Sequence, residues 1–360
     1  MKVVLTICCV LLCLDGLGQV KEKPEKNGTW IALPAVNYSP ENGLGFGGAT
    51  FRVFKFNRKD TISRSSQIGG LGLYTTKNQA IFSTRYQFFT YAEKFSFSGQ
   101  VRYVKFPELY YGVGQDTPNS NEERVSYQFF RFTQRVLKQV VPGLFTGAEI
   151  RYFHRYDLDL TEGGLLETTQ VAGYNGSKVA GMGPVFVLDK RDNINNCFRG
   201  YYLLFSAFFH GKVLGGQFQY TNYRIDFRDY FRPFKSRDDI IAFQFLGNFI
   251  EGTAPFRQLS LFGGNSIMRG YYFGRFRDQH LLAAQVEYRM PLFWKIGAAG
   301  FIGYGNVLNR LDEFRLQDLK PSFGGGLRLK VDDKERLNLR IDMGFGEDTS
   351  GFYISVAEAF

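Results

Sequence analysis

Most of this chain alternates between apolar and polar residues with a period of two. Near its end, Leu337, Leu339, Ile341, Met343 and Phe345 alternate with Asn338, Arg340, Asp342 and Gly344. The same pattern recurs in 95–104, 222–228 and 241–249. Successive side chains of a β-strand point to opposite faces, so this period predicts strands and excludes amphipathic helices in these segments.

The composition indicates where the two faces of these strands lie. Aromatic residues make up 17% of the 360 residues, with 38 Phe and 21 Tyr, yet the mean hydropathy is slightly negative at -0.20. A soluble sandwich also alternates, but it would need a very large core to bury so many rings. A closed transmembrane barrel satisfies every backbone hydrogen bond and exposes only alternate residues to lipid. The composition therefore favours a barrel with apolar side chains outside and polar side chains inside.

The turn signals divide the chain into sixteen such segments. Their approximate bounds are 30–39, 43–57, 62–75, 78–91, 93–107, 121–137, 143–157, 176–190, 199–210, 216–231, 236–250, 278–291, 296–307, 321–332, 335–346 and 350–360. An even number places both chain ends on the periplasmic side, and the longer connections then fall outside. The predicted fold class is all-β, a 16-stranded antiparallel transmembrane β-barrel.

The first residues resemble an export signal. Lys2 precedes an apolar run from Val3 to Leu14 and small residues around Gly18, which is typical of a cleaved secretory peptide. We expect a signal peptide at 1–18, a short periplasmic segment at 19–29 and a barrel domain at 30–360. This organisation predicts an integral protein of the outer membrane of a Gram-negative bacterium.

The charge and the chemically active residues restrict the function further. The net charge is +10, but an exported chain rarely meets nucleic acid, so we expect none as a partner. Alternation points these arginines inward, where we expect most to pair with carboxylates such as Asp226: Arg85, Arg102, Arg224, Arg228, Arg289, Arg328 and Arg340. No residues have the spacing of a metal site or a hydrolase motif, so we expect no metal, no cofactor, no catalytic residues and no enzymatic activity.

One motif resembles a known family. Met268-Arg269-Gly270-Tyr271 lies in the sixth outer connection, and the stretches 37–47, 189–193 and 351–360 also match. They resemble the BamA/TamA family of outer-membrane assembly barrels, the bacterial surface antigen type. The resemblance implies that the sixth outer loop folds into the lumen, where carboxylates on the wall hold its arginine.

Two inward carboxylates are the candidate partners of this loop motif, Glu287 and Asp342. A further aspartate that the family often carries is replaced here by Gly303. The latch, meaning the pairing of Arg269 in the loop motif with carboxylates of the wall, would therefore rest on Glu287 and Asp342 alone. We also expect the periplasmic polypeptide-binding domains of the best-known members to be absent.

The family mechanism places function at the seam between the first and last strands. Pro34 in the first strand lacks an N–H and so weakens pairing, unless it marks a bulge. Phe352 and Phe360 would face lipid on the last strand, with Phe360 as a terminal assembly signal and Glu358 at the periplasmic interface.

The resemblance implies insertion or translocation of proteins through this seam. The partners would be outer-membrane lipids, unfolded or nascent outer-membrane or exported proteins, and periplasmic or outer-membrane partner proteins. Two alternatives stay open: a passive, anion-preferring pore and a non-catalytic structural or partner-binding barrel.

Overall fold

The computed structural model describes residues 28, 30–39, 43–57, 59–234, 237–333 and 335–360. The expected signal peptide and residues 19–27 of the expected periplasmic segment lie outside this range.

The fold is one antiparallel sheet of sixteen strands in chain order, interrupted only where two short strands form a separate pair. The strands are β1 (Ile31–Ser39), β2 (Gly43–Phe54), β3 (Ser66–Thr75), β4 (Ala80–Phe89), β5 (Phe95–Tyr110), β6 (Glu123–Val141), β7 (Leu144–Asp159), β8 (Ser177–Asp189), β9 (Gly200–His210), β10 (Tyr220–Phe231), β11 (Ile240–Gly252), β12 (Ser260–Phe262), β13 (Phe276–Asp278), β14 (His280–Phe293), β15 (Ile296–Leu308), β16 (Lys320–Asp332), β17 (Leu337–Gly346) and β18 (Thr349–Val356).

Each predicted segment coincides with one strand of this sheet. The last strand is shorter than expected, because it ends at Val356. The small pair β12–β13 lies inside the sixth outer connection and was not predicted.

Within the described ranges, helical structure is limited to one short α-helix and several 3-10 turns. The helix α1 spans Leu165–Thr169, and the turns are Tyr91–Glu93, Asn119–Asn121, Lys212–Leu214, Leu311–Glu313 and Leu316–Asp318. Among the described residues, no helix is long and apolar enough to cross a membrane.

The two faces of the sheet have the polarity that the alternation predicts. On β17, Asn338, Arg340 and Asp342 are buried, whereas Met343 and Phe345 on the opposite face are exposed. Side chains from the sixth connection reach strands far apart in the sheet, Glu108 on β5 and Asp342 on β17. The polar face is therefore the inside of the barrel.

The outer connections fill part of this interior with apolar side chains. Leu166 of α1 and Phe256 of the sixth connection are buried in one cluster with inward residues of the strands, among them Val104, Phe129 and Phe153. The cluster packs on the half of the wall nearest the outer loops.

The sheet begins with β1 and ends with β18. The Cα atoms of the two strands approach within 8 Å. Within the described residues, no hydrogen-bonded ladder joins them, so each presents one edge without a strand partner. The barrel thus has a seam that is not closed by hydrogen bonds.

Candidate functional site: the sixth loop and the β14–β18 wall

The sixth loop, residues 253–279, turns inward at the predicted motif. Met268 has a φ of 53° and Gly270 a φ of 110°, on either side of Arg269. Positive φ at both positions reverses the chain tightly, and glycine adopts it without steric cost. The turn carries Arg269 into the interior, where its side chain is completely buried.

Two carboxylates from the wall hold the Arg269 guanidinium. Its Nη2 lies 2.6 Å from Glu287 Oε2 on β14, and its Nη1 lies 2.6 Å from Asp342 Oδ2 on β17. The guanidinium also lies over the Phe301 ring on β15, 3.5 Å from the ring centroid. A planar guanidinium suits these partners because its fork donates in two directions and its face stacks on a ring.

Each carboxylate is shared with arginines of the wall. Arg289 Nε lies 2.7 Å from Glu287 Oε1. Arg328 Nη1 lies 2.6 Å from Asp342 Oδ1, and Arg340 approaches Asp342 at 3.3 Å. The latch is therefore one part of a connected ion-pair network on β14, β16 and β17.

Glycines on the wall allow the loop backbone to lie directly on the sheet. A Cβ at Gly344 would lie 2.7 Å from the carbonyl carbon of Arg269, and one at Gly270 would lie 2.5 Å from the carbonyl carbon of Phe345. A Cβ at Gly346 would lie 2.3 Å from the Tyr271 ring. No larger residue fits at these contacts without moving the loop away from β17.

The loop also contacts the last strand. The Gly270 N–H donates to the Tyr353 hydroxyl at 3.0 Å, and Thr349 Oγ1 donates to the Gly270 carbonyl at 3.1 Å. The backbone N–H of Glu347, in the turn before β18, donates to the Tyr271 hydroxyl at 2.9 Å. Loop 6 thus braces the β17–β18 hairpin from inside, next to the seam.

The sequence around this latch matches a known family. The Omp85 superfamily domain matches residues 172–360, slightly more than half of the 360 residues. The chain belongs to the Omp85 superfamily. The matched region contains the whole latch, including Arg269, Glu287 and Asp342. No curated protein sequence matches the chain.

Solved structures show the same fold. BamA from Haemophilus ducreyi lacking POTRA domains 1–3 has a TM-score of 0.61 at 13% identity, covering 92% of this chain and 70% of that chain. CdiB from Acinetobacter baumannii has a TM-score of 0.55 at 12% identity, covering 92% of this chain and 60% of that one. CdiB from Escherichia coli has a TM-score of 0.56 at 11% identity, with coverages of 93% and 62%. The chain thus spans less than two thirds of either CdiB, and the resemblance to BamA-type barrels is confirmed.

The end of this Omp85 barrel differs from the sequence prediction. Phe360 does not lie on the last strand and does not face lipid. Ala357 has a φ of 68°, which ends β18 and turns residues 357–360 inward. Phe360 is buried against Tyr230, Ala242 and Cys197.

Glu358 explains why this tail turns inward. Its side chain is 1% exposed and lies 2.8 Å from Arg328 Nε and 3.7 Å from Arg289 Nε. The Asn338 amide also donates to it at 2.7 Å. An exposed carboxylate facing lipid is costly, whereas these three groups stabilise it inside. The expectation that Glu358 shares the lipid-facing side of the strand at the periplasmic interface was wrong, and the tail belongs to the latch network.

The other two predicted seam residues lie on their expected strands. Phe352 is the Cα partner of Met343 and faces outward, whereas its neighbour Tyr353 points to the opposite face of the strand. Pro34 is exposed and is the Cα partner of Gly48 in an unbroken register, so it does not mark a bulge.

The described residues contain no group of three His, Cys, Asp or Glu side chains that could hold a metal ion. What the site can do is mechanical: it fixes a loop and a tail to one wall.

Proposed function

We propose that this Omp85 barrel takes part in inserting or translocating proteins at the outer membrane, with the β1–β18 seam as the route. The observation that carries the proposal is the seam itself, where two strand edges lie side by side without a ladder in the described residues.

An unpaired strand edge is a template for another strand. It presents N–H and C=O groups that an extended segment satisfies by β-augmentation. In a bilayer such an edge is costly unless it is paired, because no water reaches it. A substrate strand entering the seam would supply the missing hydrogen bonds, so an unfolded or nascent barrel protein, or an exported chain, is the partner of matching chemistry.

The latch keeps one side of this seam in place. Arg269 ties loop 6 to β14 and β17, and the Gly270 and Tyr271 contacts tie it to the β17–β18 hairpin. In this proposal β18 stays on the rigid latch wall. The β1 side then opens, because among the described strands β1 hydrogen-bonds only to β2.

The membrane supplies the other partner. Outward aromatic side chains such as Phe82, Phe205 and Phe323 are exposed on the face opposite the polar interior. We infer that this belt contacts outer-membrane lipids of a Gram-negative cell. The proposal requires no chemical reaction, cofactor or nucleic acid on the chain, and partner proteins would supply any further substrate capture.

Photocrosslinking in cells tests the seam. A photoreactive residue replaces Ile354, outward on β18, and a matched control replaces Ile302, outward on β15 and 48% exposed. Newly exported proteins should crosslink to position 354 and not to position 302. Equal capture at the two positions, or none at 354, would contradict a seam route.

Two further measurements, one on the purified protein and one in cells, separate the two alternatives. A passive pore would give large, steady, anion-selective currents in planar bilayers, whereas a lumen filled by loop 6 should conduct poorly. A structural or partner-binding barrel would leave other outer-membrane barrels at normal levels when it is depleted. The proposed function predicts that those levels fall.

A further inference from the structure

The opposite wall of the barrel carries arginines that pair with no carboxylate of the described residues. Arg85 on β4, Arg102 on β5 and Arg131 on β6 all point inward. Among the described residues, no carboxylate lies within ion-pair distance of any of the three. They are the Arg85-Arg102-Arg131 cluster.

The register brings two of these charges directly together. Arg102 and Arg131 are Cα partners on adjacent strands, and Arg85 lies diagonally from Arg102, since Ser83 is the Cα partner of Arg102. Like charges directly opposite each other on a sheet destabilise it. A fold that keeps this arrangement without a carboxylate is suited to a bound anion.

The surroundings orient the guanidinium groups without neutralising them. Arg131 lies over the rings of Phe129 and Phe153, at 5.7 and 5.4 Å from their centroids, and Arg102 lies over Phe129 at 5.8 Å. Both rings belong to the buried apolar cluster below the outer loops. The apolar cluster therefore bounds the Arg85-Arg102-Arg131 cluster on the side of the outer loops. On the side of the inner turns, polar residues such as Gln100 and Thr133 continue the wall.

Wall carboxylates on the neighbouring strands β5 and β7 already have arginine partners. Glu108 is bound by Arg257 at 2.8 Å and by Arg277 at 2.9 Å. Glu149 is bound by Arg135 and Arg151, both at 2.5 Å. Neither is free to serve the Arg85-Arg102-Arg131 cluster.

We propose that this cluster is a binding site for an oxyanion of the phosphate class. Guanidinium groups bind phosphate through paired, charge-assisted hydrogen bonds, and two of them on neighbouring strands can share one phosphate group. A small anion fits better than a polypeptide, because contacts between the inner turns cross the periplasmic end of the lumen. Arg64, just before β3, reaches Asp189 on β8 at 2.6 Å, and Arg336, just before β17, reaches Asp192 at 2.7 Å.

Binding of diphosphate to the purified full chain in zwitterionic detergent tests the site. Titration calorimetry should show saturable binding that Arg131→Gln weakens by about tenfold or more. The matched control is Arg224→Gln, which removes the same charge from the inner face. It leaves Asp226 paired with Arg228 at 2.7 Å, and it should change the affinity by less than about twofold. No saturable binding by wild-type protein that has been freed of phosphorus-containing lipid, or equal loss in both variants, would overturn the proposal.

Thermal unfolding in anion-poor buffer distinguishes an anion site from a purely structural role of Arg131. If the cluster is a vacant anion site, Arg131→Gln relieves repulsion and should melt at or above the wild-type temperature. If the arginine only packs on Phe129 and Phe153, the same variant should melt lower, and that result would contradict the proposal.

The source of the phosphate group is a separate outcome. A lipid headgroup would leave phosphorus-containing lipid on the wild-type protein after extensive detergent washing, and Arg131→Gln would lose it. A free phosphate compound would give diphosphate binding with no retained lipid. Both results support the oxyanion site and identify its ligand.

Discussion

The two walls of this barrel use arginine in opposite ways. On the β14–β18 wall, four buried arginines share three buried carboxylates: Arg269, Arg289, Arg328 and Arg340 with Glu287, Asp342 and Glu358. On the β4–β6 wall, Arg85, Arg102 and Arg131 face the same interior, and no carboxylate in the described part of the chain pairs with them. The first wall gains rigidity from its charges, whereas the second keeps its charges available.

The difference follows the position of the seam. The paired wall includes β18, whose free edge would otherwise be held by β17 alone, and the network fixes loop 6 and residues 357–360 against it. The β4–β6 wall lies inside the continuous run of ladders and contains neither edge of the seam.

The largest effect should come from Asp342→Ala. This carboxylate contacts Arg269 and Arg328 at 2.6 Å and Arg340 at 3.3 Å, so its loss leaves three buried cations facing one another. Removing one partner of a buried ion pair costs about 3–5 kcal/mol. Urea unfolding should show this loss of stability. The control, Asp312→Ala, removes an exposed partner of Arg310 in an outer loop and should leave the unfolding curve unchanged. Similar stability of the two variants would mean that the network does not stiffen the wall.

The tail should matter next. Glu358→Leu leaves Arg328 and Arg289 short of one carboxylate, although each keeps Glu287. We expect a loss of about 2–3 kcal/mol, smaller than for Asp342→Ala. A lipid-facing Glu358 would instead tolerate leucine. Unchanged stability would therefore indicate that its side chain lies on the outside of the barrel.

The rate at which maleimide labels Cys197 shows whether Phe360 covers this thiol. Burial, together with the Asp192 side chain, raises the pKa of the Cys197 thiol to about 12, so little thiolate forms at pH 8 and maleimide should react slowly. Phe360→Ala uncovers this thiol, lowers its pKa and should speed labelling, with a rate that rises with pH. Phe352→Ala, on the outward face of β18, is the matched control and should leave the rate unchanged. If the two variants label alike, the tail does not cover Cys197.

The smallest effect should come from the other wall. Arg85→Gln removes an interior arginine that has no ion pair among the described residues, so stability should change by no more than about 0.5 kcal/mol. A loss as large as that of Asp342→Ala would show that the two walls do not differ.

The sequence predicts the strands and their faces well, because a period of two is a local property that survives in any sheet. Inward alternation at Glu287 and Asp342, combined with the motif at Arg269, also indicated which groups the structure brings together.

The tail could not be predicted in the same way. The alternation of β18 continues formally through Glu358 and Phe360, and only the positive φ of Ala357 reverses the face. The one available signal was Glu358 itself, a carboxylate on a face that should meet lipid.

The sequence did not predict the Arg85-Arg102-Arg131 cluster either, for a different reason. Alternation showed that Arg85 and Arg102 point inward, but whether an inward arginine meets a carboxylate depends on register between strands. Glu108 and Glu149 lie on the same part of the wall, and only the three-dimensional contacts show that other arginines already bind them.

The central claim is that the Arg269 latch holds the last strand at the seam. Amide hydrogen exchange of the wild type and Arg269→Ala, followed segment by segment, tests it most directly. Without the guanidinium, loop 6 should leave the wall, and amides of 263–275 and 349–356 should exchange about tenfold faster or more, while those of β4–β6 keep their rates. Unchanged exchange in 349–356 would contradict the account, because the last strand would then be held without the latch.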